Sequence, residues 1–435
     1  MNKVRFIIVL ILTFYTVFIS EALALNKTEL PNGLVIITKP LKTNNIVSFV
    51  VTLKMGSLYE TDQTAGLCTL MQDTLRKGTT IRSSDQIALE LESLGTRLST
   101  YSSWEHGTVE IDATSDNIYK SVDILYDIML HPTFPDDAVE LQKNLQIKSI
   151  YTRYDQPINL AFDLMIDAHY GTHPFHKPRT GYPETIEKLS RDEIVTMHKK
   201  SYVPNNMVVT VVGNFDEQKI IENITNNLGS LPKSNNLEQT EYKNENRHGR
   251  TKPVEKIETR ETSASWFVLG WEAPVLNDPE YFPMEILDSI TGGSMSSRLF
   301  VAIREERGLA YSVGSSYNAR QESGVYFSYI GTKPESYEDS KKVLINEISQ
   351  LAKEEPTGEE IEFAKNYLKG MNTMSQESNS GQATQYGYYE LIGNGYESVL
   401  EYNENIDEVT GADILNVGKK YLNTNNYALG GVLAE

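Results

Sequence analysis

Arg304 and Tyr311 are two hydrogen-bond donors whose spacing could bring them to bear on one oxygen. They stand seven residues apart in GGSMSSRLFVAIREERGLAY, residues 292–311. Seven residues are two helical turns, so on a continuous helix both groups share one face. A guanidinium and a phenol so placed can polarise a scissile carbonyl and stabilise the oxyanion that forms on it. Gly308 is positioned to end the helix between them. Out of context, Arg304 reads better as a surface cation paired with Glu305 or Glu306. Gly292, Gly293 and Ser294 open the segment as a flexible loop, and no Lys-Ser/Thr pair of a nucleotide-binding loop follows it.

Metal ligation is the second chemistry to consider. His169, His173 and His176 cluster in HYGTHPFHKP, and the first two have the i, i+4 spacing of a helical ligand pair. Gly171 and Pro174 break a helix there, so the cluster reads as a loop feature. His106, after Trp104-Glu105 in a strand region, reads as structural. Cys68 is the one cysteine, sits among Leu67, Leu70 and Met71, and forms no internal disulfide.

The elements that must position these groups follow from periodicity. Residues 53–79 read as a strand, a loop and a helix. Ser83–Leu94 carries Ile87, Leu91 and Leu94 at helical spacing, and Leu98–Ala113 switches to alternation through Val109 and Ile111. Ile118–Met129 and Asp136–Tyr151 are helical again. Two stretches, 26–232 and 253–435, each run from strands through a long helical middle to a closing strand pair. The first closes with YVPNNMVVTVVGN (202–214), the second with YLNTNNYALGGV (421–432). Two copies of one α+β unit are therefore expected, each with helices packed on one face of a mainly antiparallel sheet. Residues 233–252, polar and asparagine-rich, read as the linker between them.

The 435 residues, 40% of them hydrophobic, are enough for two sizeable cores. Lys3 and Arg5, the apolar run Phe6–Ile19 and Ala22-Leu23-Ala24 read as a signal peptide, residues 1–24, removed after Ala24. The run of about 14 residues is short for a bilayer, which needs ~20. No stable membrane span is expected after cleavage, and the location is exported, periplasmic or secreted. The net charge of −19 disfavours nucleic acid and anionic membranes as partners.

Two segments carry a family resemblance. LKMGSLYETDQTAGLCTLMQDTLRKGT (53–79) and GGSMSSRLFVAIREERGLAY (292–311) resemble the insulinase/pitrilysin superfamily of zinc peptidases, in its bacterial and mitochondrial-processing-peptidase-like branch. HPFHKPRTGYPETIEKLSRDEIVTMHKKSYVPNNMVVTVVGNFD (173–216) extends the likeness, which runs from about Leu30 to Val432. In that family the first segment carries His-x-x-Glu-His on a helix. Here those positions read Thr69-Leu70-Met71-Gln72-Asp73, with Gly56, Tyr59-Glu60, Gly66 and Lys77-Gly78-Thr79 in register around them.

What the resemblance implies is specific. The ligand positions are Thr69 and Asp73 and the base position is Gln72. The third ligand falls in Ile147-Lys148-Ser149-Ile150, which holds no acid. A lone carboxylate cannot hold zinc at useful affinity, and a glutamine cannot take a proton from water. No cofactor is expected on this chain. Arg304 and Tyr311 match the pair that reaches across a closed chamber to the zinc site, and Gly292, Gly293 and Ser294 match a loop that admits substrate peptide. Thr100 and Tyr101, in LSTYSS (98–103), match the edge that pairs with extended substrate.

The implied protein is the non-zinc subunit of an exported heterodimeric metalloendopeptidase, inactive alone. It has an N-terminal peptidase-like domain, 25–232, without the zinc motif, and a C-terminal one, 253–435, with the glycine-rich loop and the Arg/Tyr pair. It forms a clamshell with a homologous, zinc-bearing partner subunit that receives unfolded peptides. The alternative is an inert structural or peptide-binding, chaperone-like protein of the same fold, in which Arg304 and Tyr311 are relics.

Overall fold

A computed structural model describes residues 25–235, 237–239 and 252–435. The signal-peptide segment and most of the linker lie outside the described residues.

The first half opens with β1 (Asn26–Glu29), β2 (Val35–Pro40) and β3 (Ile46–Lys54), then α1 (Leu67–Thr74) and α2 (Ser84–Ser93). The hairpin β4 (Arg97–Ser102) and β5 (His106–Thr114) follows, then α3 (Ile118–Leu130), α4 (Asp136–Tyr154) and α5 (Pro157–Tyr170). Next come α6 (Pro183–Lys188), α7 (Arg191–Ser201), β6 (Met207–Gly213) and α8 (Glu217–Leu228). These strands form a sheet in the order β1-β2-β6-β3-β5-β4. Every pairing is antiparallel except β2 with β6.

The second half repeats the plan with β7 (Val254–Arg260), β8 (Ser265–Ala273), α9 (Tyr281–Thr291), β9 (Ser312–Ala319) and β10 (Gly324–Thr332). It ends with α10 (Tyr337–Leu351), α11 (Gly358–Ser375), α12 (Asn379–Ile392), α13 (Glu397–Glu408), α14 (Gly411–Tyr421) and β11 (Ala428–Ala434). Its sheet runs β7-β11-β8-β10-β9, with β11 parallel to β7 and the rest antiparallel. Each half closes with a single strand, β6 or β11, added beside strands from the start of that half. The expected closing pair of consecutive strands is not formed.

Both sheets are covered on both faces, where one covered face was expected. On one side each half packs its own helices. On the other, the halves exchange a helix: α12 lies across β3 and β6, and α5 across β8 and β11. This explains why Val47–Leu53 of β3 and all of β6 are buried without alternation. A strand shielded on both faces has no solvent side on which to place polar residues. The Ala383 and Tyr386 side chains of α12 pack on Ile37, Val50, Val208 and Val212. Ala161 and Met165 of α5 pack on Val268, Ala428 and Val432. The second approach is so close that a Cβ on Gly430 would fall 2.1 Å from the Ala161 carbonyl oxygen.

Candidate functional site

Helix α1 is set by its N-terminus. Gly66 caps it at φ +89°, where a Cβ would also meet the Thr180 carbonyl oxygen at 2.5 Å. The Glu60 carboxylate accepts from the Gly66 and Cys68 N–H groups at 3.0 and 2.7 Å, an anion at the positive end of a helix. Burial raises the pKa of Glu60 and these N–H bonds oppose the rise.

The three sequence-aligned positions are thereby held in fixed environments. The Thr69 hydroxyl donates to the Arg179 carbonyl at 2.7 Å. Gln72 is fully buried and committed at both ends of its amide. Its Nε2 donates to the Tyr101 carbonyl at 3.2 Å and lies 3.2 Å from the Met55 sulfur, while its Oε1 accepts from the Tyr202 hydroxyl at 2.8 Å. Asp73 faces solvent from a crowded position. The crowding raises its pKa, against the opposing pull of Arg76, Arg179 and Lys77.

Helix α4 lies against α1. Of the aligned stretch, Lys148 and Ser149 are exposed and Ile150 is buried in the same core as α1, while the buried Gln146 side chain reaches the N-terminus of α1. Its Nε2 donates to the carbonyls of Gly66 and Thr180 at 3.1 and 2.8 Å. Neither Gln146 nor the aligned stretch Ile147-Lys148-Ser149-Ile150 offers a carboxylate. A hydroxyl, two amides and one carboxylate, with both amides bonded to protein groups, do not fit the imidazole-rich set of a catalytic zinc ion. Among the described residues no group of three or more His, Cys, Asp and Glu side chains is arranged to hold a metal.

Thr100 and Tyr101 do come to this helix. They lie on β4, the edge of the first sheet. The Thr100 hydroxyl donates to the Gln72 carbonyl at 3.1 Å, and the exposed Tyr101 ring carries the Arg179 guanidinium 5.2 Å from its centre. Arg179 also donates to the Ser102 carbonyl at 3.3 Å. Sequence reasoning passed over Arg179, Gln146 and Tyr202. Arg179 had a visible signal, as a cation in the quoted segment HPFHKPRTGY. The other two are brought in only by tertiary packing.

Gly292, Gly293 and Ser294 form the turn after α9. The Gly292 and Gly293 N–H groups both donate to the Asp288 carbonyl, and the Ser297 hydroxyl closes onto the Ser294 carbonyl at 2.6 Å. The following helical segment includes a π-helical stretch, Phe300–Glu305. A bidentate pair between Arg298 and Glu360 of α11, at 2.6 and 2.9 Å, anchors it and holds the Glu360 carboxyl down at about 2. Gly308, at φ +62°, ends the helix: its N–H bonds the Arg304 carbonyl and the Leu309 N–H bonds that of Ile303.

Arg304 and Tyr311 therefore lie on either side of a helix stop, not on one helical face. Both are exposed, Tyr311 by 54%. Arg304 rests on the Phe300 ring, 5.0 Å from its centre. Among the described residues it forms no ion pair, and Glu306 pairs instead with Arg307 at 3.0 Å. Within one chain the pair does not meet α1. The second half touches the β4–β5 turn through Gln321, whose N–H donates to Glu105 at 3.0 Å. Tyr311 stands at the opposite end of β9, about 25 Å away by the rise of a strand.

The histidines diverge. His169 ends α5 with its Nε2 3.7 Å from Glu272. His173 Nδ1 accepts from the Phe175 N–H, and His176 reaches Asp62 at 3.0 Å. His106 is held to the Ser103 hydroxyl at 2.9 Å, and burial with help from Arg320 lowers its pKa to about 4.

Two α+β halves that exchange a helix have counterparts among known proteins. Residues 35–181 match the family model described as insulinase (peptidase family M16), and residues 188–368 match the one described as peptidase M16 inactive domain. The chain belongs to the M16 peptidase family. It is 27% identical over 397 residues to an uncharacterized zinc protease of Mycobacterium leprae, covering 91% of this chain and 89% of that one. Its fold is that of a protease from Helicobacter pylori, with a TM-score of 0.87 at 20% identity, covering 95% and 100% of the two chains. A Pseudomonas fluorescens structure described as a peptidase M16 inactive domain gives 0.85 at 20%, covering 95% and 99%. No helix among the described residues is long and apolar enough to cross a membrane.

Proposed function

We propose that this chain is the non-zinc subunit of an exported, two-chain M16 metallopeptidase. Its partner is a homologous subunit that carries zinc and closes on it as a clamshell around unfolded peptide substrates. Arg304 and Tyr311 polarise the scissile carbonyl at the partner's site. The loop at Gly292, Gly293 and Ser294 and the edge strand at Thr100 and Tyr101 bind substrate backbone.

The observation that carries this reading is a mismatch within one molecule. The helix that should hold metal has its Thr69 and Gln72 side chains bonded to protein groups, while the carbonyl-polarising pair stands exposed at the end of β9 away from the β4–β5 turn. A pair so placed has no target in its own chain and fits one in another.

The test is peptide cleavage by the mature chain, by a zinc-motif homologue encoded beside it, and by the mixture, with zinc quantified in each. Activity that requires both chains, with zinc on the homologue alone, is the expected result. A mixture no more active than the homologue alone moves this chain to the inert binding or structural class. Zinc and activity in this chain alone overturn the reading of Thr69, Gln72 and Asp73.

A further inference from the structure

A cavity of about 780 Å³ opens between the start of α9, the end of α12 and one face of α13. Its size is that of a small-molecule site. One wall is aromatic. Tyr281 and Phe282 meet edge-to-face at 5.0 Å, Phe282 meets Tyr402 at 5.6 Å, and Tyr389 completes the surface. The Tyr402 hydroxyl donates to the buried Glu285 at 3.4 Å, which fixes the ring.

The helix α13, which also carries Tyr402, adds a row of carboxylates. Glu397, Glu401 and Glu408 line the cavity from α13, with Asn405 between the last two. Glu397 and Glu401, four apart, stand about 6 Å apart along the helix axis, and Glu401 and Glu408, seven apart, about 10 Å. Like charges four apart disfavour the helix unless something neutralises them. Nothing in the wall does, for no lysine or arginine lines the cavity. Lys420 reaches only Glu280 at its edge, and Lys27, near Glu397, is bonded to Glu390. The same helix shows the contrast on its other side, where Asp407 has its own lysine, Lys369, at 2.6 Å.

Aromatic faces beside carboxylates attract organic cations, through the ring quadrupole and through charge. We propose that this cavity binds an extended organic polycation, with ammonium or guanidinium groups about 6 to 10 Å apart. Such groups come either from a free polyamine or from the basic side chains of a peptide. The site is separate from the Arg304–Tyr311 surface, and the proposal does not depend on the two-chain reading.

The test is calorimetric titration of the mature chain with spermine, and with a blocked peptide of alternating arginine and glycine set against its citrulline counterpart. Saturable binding of spermine or of the arginine peptide is expected, at least tenfold weaker in the double variant Glu401→Gln, Glu408→Gln. Glu404→Gln removes a charge from the same helix outside the cavity and leaves affinity unchanged. Phe282→Leu weakens binding without touching charge. Spermine bound better than the peptide assigns the site to a free polyamine, and the reverse assigns it to a basic peptide segment. No saturable binding of either probe overturns the proposal, as does a loss in Glu404→Gln equal to that in the double variant.

Discussion

Gln72 shows how fully a single side chain can be committed to its own fold. Its amide donates toward Tyr101 and Met55 and accepts from Tyr202. An ionised carboxylate there can only accept, so Gln72→Glu would set a charge against a carbonyl oxygen and a sulfur in a buried site. Burial would raise the pKa of the introduced acid above its unfolded value. The folded state then binds the proton more tightly, and stability falls as pH rises through the folded pKa. The expected cost at pH 8 is about 1–3 kcal/mol, smaller at pH 5, read from urea unfolding at both pH values. Equal stability at pH 8 would show that the amide network is not holding the site.

Arg304 and Tyr311 make the opposite case, since neither is tied to a second element by its side chain. Arg304→Ala or Tyr311→Phe should lower turnover by the reconstituted pair by about 10²–10³, the usual consequence of removing one oxyanion donor. Complex formation and thermal stability should be unchanged. Unaltered turnover in both variants would make the pair a relic. At this scale Thr69, Gln72 and Asp73 could be picked out from the chain, because they lie within five consecutive residues on one short helix. Gln146 could not, because which side of α4 meets α1 depends on how two helices pack.

Among the elements, α9 carries an internal tension. Burial, with Asp288 nearby, pushes the Glu285 carboxyl from an ordinary value of 4.5 to about 7, and burial pushes Asp288 from 3.8 to about 6. For a raised carboxyl the folded state holds its proton longer than the unfolded one. The favourable contribution is complete below pH 4.5 and is lost as pH rises through about 7 for Glu285. Each pKa unit is about 1.4 kcal/mol, so Glu285→Gln should stabilise the protein at pH 8 by up to roughly 3 kcal/mol and have little effect near pH 4.5. A thermal-unfolding series from pH 4.5 to 8 checks this. A gain that does not grow with pH would mean that Glu285 is neutral throughout. The helices α2, α3 and α4 were legible as elements, α2 through the buried side at Ile87 and Leu91, but the turn between β4 and β5 was not, since Leu98–Ala113 reads as one strand-like stretch. The helical stop at Gly308 was legible too, because φ > 0 after a helix is a glycine position.

The exchange of α5 and α12 belongs to the whole molecule, and periodicity does not report it. A buried helical stripe says that a face is covered without saying which sheet covers it. The available signal was in the strands: Val47–Leu53 and Met207–Gly213 are unbroken apolar or small-residue runs, the mark of a sheet covered twice. The consequence is that neither half is a complete folding unit. Residues 25–232 alone would uncover Ile37, Val50, Val208 and Val212, where α12 now packs. Each such side chain is worth about 1.5–3 kcal/mol when fully buried. Residues 253–435 alone would uncover Val268, Ala428 and Val432, where α5 packs. Each half expressed separately should therefore lack a cooperative unfolding transition, and mixing the two should restore one. A full chain cut at a protease site engineered into residues 240–251 should remain a 1:1 complex on gel filtration and unfold cooperatively. Independent, cooperative unfolding of the two isolated halves would mean that the exchanged helices decorate finished domains and do not complete them.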